Sequence, residues 1–141
     1  MIAVAALFAP LFAAATPVVD HELVVALDVS HGRAEVSDTI TLDKERSSID
    51  FVLHAGMKPT VDAAHVTVEA RAPGGAVPAE IVHVALSKPA RKIVVHYAGA
   101  IVHAPAQVAT EHQRSFAETP GTIANEGVYL GKDALWFPQL L

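Results

Sequence analysis

From position 22 onward the chain is written in period two. Leu23, Val25, Leu27 and Val29 fall on one side of an extended backbone, and Glu22, Asp28 and Ser30 fall on the other. Successive side chains of a strand point to opposite faces, so this alternation predicts a half-buried strand. His31-Gly32-Arg33 supplies a short connection whose glycine can take positive φ. Val36, Ile40 and Leu42 then alternate with Glu35, Ser37, Thr39 and Thr41, which predicts a second strand returning antiparallel to the first. The polar cluster Asp43 to Ser48 reads as a turn, and Ile49, Phe51 and Leu53 open a third strand.

The pattern continues at similar spacing. Gly56 to Thr60 breaks it, and His65 to Arg71 makes a fourth run. Pro73-Gly74-Gly75 is the strongest turn signal in the chain. Glu80 to Leu86 follows, with Ile81 on one face competing against Val82 and Val84 on the other, and Ser87 to Ala90 reads as another turn. Arg91 to Tyr97 is β-branched at Ile93, Val94 and Val95 and ends at Ala98-Gly99. Short strands at regular intervals predict an all-β fold, an antiparallel curved sheet or β-sandwich. Residues 103–126 have no sustained period and read as an irregular segment. The chain closes on Gly127-Val128-Tyr129-Leu130 and the aromatic run Leu135-Trp136-Phe137-Pro138. Tyr129, Trp136 and Phe137 suit a binding platform, but packing into a core is the better reading.

Composition decides several questions of class. The apolar fraction is 52%, and much of the excess lies in residues 1–15, which carry one proline and no charge. Without them the apolar fraction is about 47%, an ordinary globular value. An apolar run of this length closing on Ala13-Ala14-Ala15 has the length and small-residue exit of a secretory signal peptide, although no Lys or Arg precedes it. It is too short for a spanning helix. The expected arrangement is a leader over 1–15, removed on export to the periplasm or beyond, and one β-domain over 16–141, with no stable membrane span.

With 15 acidic against 10 basic residues there is no general electrostatic drive toward phosphate backbones, which argues against a nucleic-acid partner. Zero cysteine removes disulfides, thiolate metal sites and a cysteine nucleophile.

Eight histidines make metal binding the sharpest alternative. His21, His31, His54, His65, His83, His96, His103 and His112 lie no closer than seven residues apart, so no pair has a metal ligand's local spacing. Only convergence from separate strands would bring them together, as in a histidine-based periplasmic metal carrier. His21-Glu22-Leu23-Val24-Val25 begins like His-Glu-x-x-His, but its fifth residue is Val25 and it lies in a strand pattern where that chemistry needs a helix. Gly74-Gly75 lacks the lysine and helix start of a phosphate loop, and no serine sits in a nucleophile elbow. No catalytic, cofactor-binding or metal-binding residue is assigned.

Taken in order, several segments carry a resemblance: Ile49-Asp50-Phe51-Val52-Leu53-His54, Ile93-Val94-Val95-His96-Tyr97-Ala98-Gly99, Gly121-Thr122-Ile123, Glu126-Gly127-Val128-Tyr129-Leu130 and Leu135-Trp136-Phe137-Pro138-Gln139. The chain resembles, over about residues 20–139, the amino-terminal domain of the M1-family gluzincin metallo-aminopeptidases, in their exported bacterial branch. The resemblance implies an all-β saddle, incomplete at its C-terminal end, whose partner is the catalytic domain of an intact parent chain. That later domain would carry the zinc on His-Glu-x-x-His and a further glutamate, and the Gly-x-Met-Glu-Asn motif. Neither motif occurs in this sequence. The family also places a Gln or Glu of this domain near the substrate amino group, and residues 127–130 offer no counterpart. The expectation is therefore a fragment without aminopeptidase activity of its own. A self-contained exported β-sandwich serving as a binding or interaction module is the alternative.

Overall fold

The computed structural model describes residues 19–70, 75–104 and 119–141. The expected leader over 1–15, the Pro73-Gly74 half of the turn signal and His112 lie outside the described residues. Strand β1 (Asp20–Asp28) runs into one turn of 3-10 helix (Val29–His31), then β2 (Arg33–His54), β3 (Thr60–Val61), β4 (Ala64–Ala70) and β5 (Ala79–Ala100). After these come β6 (Gly121–Ala124), β7 (Gly127–Leu130), a second 3-10 turn (Lys132–Ala134) and β8 (Gln139–Leu140). All pairings are antiparallel, as expected of the all-β class. Among the described residues no helix is long and apolar enough to cross a membrane.

The larger sheet runs β1-β2-β5-β3, with β4 also on β5 and β8 on β2; β6 and β7 form a separate hairpin. The predicted first hairpin is present, with Asp28 opposite Arg33. Asp28 caps its 3-10 turn by accepting from the His31 amide, and Gly32 closes it in the left-handed region at φ 63°. A side chain there would also collide with Val102.

Two predicted turns do not exist as turns. Asp43 to Ser48 and Ser87 to Ala90 lie inside the 22-residue strands β2 and β5, so the expected second and third strands are one, as are the fifth and sixth. The two irregular stretches sit opposite each other. Thr41 pairs with Lys92 and Ser48 with Ala85, with only Arg46–Ala90 in register between them. On β2 the residues of the core cluster are even-numbered from Ala34 to Leu42 and odd-numbered at Ile49, Phe51 and Leu53, while Val52 and His54 are buried outside that cluster. On β5 the cluster residues are even-numbered at Val82 and Val84 and odd-numbered at Ile93, Val95 and Tyr97. A bulge changes which face of a strand is presented, and here both strands change face at the same place. The polar residues that suggested a turn occupy this exposed irregularity instead. The competition on β5 resolves for Val82 and Val84, both buried.

The core is one cluster, with Ile40, Leu42, Phe51, Leu53, Met57, Ile101 and Ile123 among its fully buried members. Full burial of side chains this size contributes about 1.5–3 kcal/mol each. Trp136, Phe137 and Leu140 pack against this cluster, which supports the core reading of the aromatic end. The expected 103–126 irregular segment in fact contains β6, whose Ile123 is a core residue. Large apolar side chains are exposed on β1, where Val24 is 70% and Leu27 45% exposed, and at Leu141, which is 74% exposed.

Candidate functional site

The sequence places eight histidines far apart, and tertiary structure brings several into specific polar contacts. Three groups stand out. His21, on the covered face of β1, donates from Nδ1 to Asp38 Oδ2 at 2.8 Å. Asp38 is fully buried on β2, and the edge of Phe137 meets the His21 ring at a centroid distance of 5.6 Å. Trp136 packs edge-on against Phe137 in turn. Asp38 Oδ1 and the Tyr97 hydroxyl, both buried, have no hydrogen-bond partner among the described residues. Burial first, and then the Asp38 charge, raise the Tyr97 phenol far above its ordinary value, so this hydroxyl stays protonated. The alternation that predicts β2 also aims position 38 inward, but an inward Asp breaks the apolar pattern and only its His21 partner explains it.

His83, on the exposed face of β5, bridges two strands. Its Nδ1 lies 2.9 Å from Asp50 Oδ1 on β2, and its Nε2 lies 3.4 Å from Glu69 Oε1 on β4. The hydrogen bonds to Asp50 and then Glu69 raise its pKa above the ordinary 6.5. The carboxylates hold opposite sides of the ring, so this trio cannot converge on one cation. Its members come from the alternating pattern, but their registry across three strands is tertiary.

The third group is a histidine pair. His54 closes β2, and its Nε2 lies 2.9 Å from Nε2 of His103, 49 residues later. His54 is only 6% exposed. Its Nδ1 hydrogen donates to the Ala55 carbonyl at 2.8 Å, and its amide donates to the Leu135 carbonyl at 2.7 Å. Desolvation, and then the neighbouring His54, lower the pKa of His103. Cross-strand convergence of histidines thus does occur, as a pair.

The fragment His21-Glu22 lies in β1, where the two side chains point to opposite faces. That arrangement cannot hold a metal through both. Among the described residues no three His, Asp or Glu side chains form a metal-binding group. On the outer sheet face a shallow groove of about 330 Å³ is lined by Val24, Glu35, Ser37, Lys58, Thr60 and His96, a mixed surface without a convergent set of reacting groups. No family model, curated protein or solved structure matches this chain.

Proposed function

We propose that this chain is an exported, non-catalytic β-domain of the M1 metallopeptidase type, acting beside a zinc-bearing catalytic domain carried by further sequence. The supporting observation is that the segments carrying the resemblance belong to one packed unit. Ile49 to His54 and Ile93 to Gly99 lie on the two long paired strands, and Gly121 to Leu130 form the β6–β7 hairpin. Trp136 and Phe137 pack against the core those strands build. Activity belongs to a site rather than to a fold. In such an assembly, zinc in the other domain activates water and polarises the peptide carbonyl. This chain supplies a wall and a rigid scaffold.

The purified chain, incubated with zinc and a panel of aminoacyl-nitroanilides, is expected to release no nitroaniline above the buffer rate. Zinc-dependent turnover that tracks the chain through purification would overturn the reading. A second reading, a self-contained binding module, is favoured by the groove beside Val24 and His96 on the outer sheet face. Genomic DNA beyond codon 141 separates the two. A downstream frame encoding His-Glu-x-x-His supports the metallopeptidase domain, and an unrelated gene supports the module.

A further inference from the structure

We propose that the open edge of β1 is a docking site for an extended peptide segment, which joins the larger sheet as a further antiparallel strand and carries basic residues beside Asp20 and Glu22. β1 ends the strand order and pairs only with β2, in unbroken register from Asp20–Thr41 to Asp28–Arg33. Pairing on one side leaves alternate amides and carbonyls of an edge strand without a partner. Among the described residues no backbone–backbone hydrogen bond reaches Asp20–Asp28 from any strand but β2. Soluble proteins blunt such edges with Lys, Pro, a bulge or a very short strand. β1 has nine residues, no Lys, no Pro and no bulge.

The side chains of β1 define the occupant. Val24 and Ala26 share the open face with Asp20, Glu22 and Asp28, while Leu23, Val25 and Leu27 lie on the covered one. Val24, Val25 and Leu27 are all exposed, so from position 24 the strand is apolar on both faces and a neighbouring strand would cover it. At the other end, neither Asp20 nor Glu22 has an ion-pair partner among the described residues. Asp28 is already taken: it accepts from the Ser30 hydroxyl, and its second oxygen lies 2.7 Å from His31 Nδ1. In the antiparallel sense common to every pairing of this sheet, the C-terminal end of an incoming strand lies beside Asp20. The complementary segment is therefore apolar where it faces Val24, Val25 and Leu27, and basic in its last residues.

A second copy of this chain fits the same edge badly. Antiparallel self-pairing over the whole strand sets Asp20 against Asp28 at both ends, and moving its centre from Val24 to Val25 sets Glu22 against Asp28. Like charges directly opposite one another are destabilising. The other long edge, β4, lacks the free charge, since its single carboxylate, Glu69, already lies 3.4 Å from His83. Charge and apolar pattern thus select β1, and they do so whether or not further sequence carries a catalytic domain.

The test titrates the full chain with the end-capped peptide Thr-Val-Thr-Val-Val-Val-Lys-Thr-Lys, which would lie antiparallel on Asp20–Asp28 with its lysines beside Glu22 and Asp20. Saturable binding is expected, weaker by about tenfold when both lysines of the peptide are replaced by Glu. Amide exchange followed by NMR should show about tenfold added protection at alternate amides of β1 and none at Val66 or Val68 on β4. Glu22→Lys, at an exposed position, should reverse the preference between the two peptides. Absence of saturable binding, equal binding of the two peptides, or protection of β4 in place of β1 overturns the proposal. So does protection of β1 that grows with protein concentration without peptide, the mark of a second copy on this edge. If the variant does not fold, the contrast between the two peptides on the wild-type chain and the protection of β1 decide.

Discussion

Arg91 Nε donates to the Leu42 carbonyl at 2.8 Å, at the place where β2 and β5 together change face. Leu42 is the last of the even-numbered core-cluster residues on β2, and Ile93 is the first of the odd-numbered ones beyond the irregularity on β5. The guanidinium thus satisfies a carbonyl that regular pairing leaves open at the bend. A charged donor of this kind contributes about 1.5–3 kcal/mol. Arg91→Ala is expected to lower stability by about 1–2 kcal/mol, since part of the site is solvated. Urea denaturation measures it, and a midpoint equal to wild type would remove the role given to Arg91.

His21 and Asp38 make a second prediction. Replacing His21 by Leu strands a fully buried carboxylate, one of whose oxygens already has no partner among the described residues. Breaking one side of such a pair costs about 3 kcal/mol. His21→Leu combined with Asp38→Leu should recover part of that loss, because the apolar pair leaves no charge buried. Thermal unfolding of the two variants decides: a double variant less stable than the single would contradict this account of Asp38.

Gly99 is a packing prediction. A Cβ there would lie 2.7 Å from Met57 Sδ and 2.8 Å from the Gly56 carbonyl oxygen, where Ala98 donates its amide to the Met57 carbonyl. Gly99→Ala should therefore cost about 2 kcal/mol, as overpacking does. Gly75→Ala, whose Cβ would meet only the Val77 carbonyl, at 3.6 Å, among the described residues, should stay within about 0.5 kcal/mol of wild type. Similar unfolding midpoints for the two variants would rule out the close approach at Gly99.

The His83 bridge predicts a pH effect. Its pKa is raised by Asp50 and Glu69, so the stabilisation is fully present below the unfolded value of 6.5 and disappears as the pH rises through the higher folded value. Proton NMR of the His83 ring should show a midpoint above 6.5. Asp50→Asn should bring it down, removing the larger cause. A midpoint unchanged by that substitution would show that the bridge does not form in solution.

The alternation of apolar and polar residues was enough to place β1, the β1–β2 hairpin and the inward faces of Val36, Ile40, Leu42, Phe51 and Leu53, because a strand's period is a local property of the backbone. It misread 43–48 and 87–90, since polar residues serve an exposed bulge as well as a turn. Only the partner strand distinguishes the two. Ile81 against Val82 was likewise undecidable from β5 alone, and pairing of Val82 with Phe51 settles the inward face. The polar pairs were beyond local reading altogether. His54 and His103 stand 49 residues apart, and His21 and Asp38 meet only because β1 and β2 run in one register. The sequence by itself determined that this chain makes antiparallel strands. Tertiary structure decided that four of the expected strands are two, and which histidines meet, because those outcomes depend on register between distant segments and not on the pattern within any one of them.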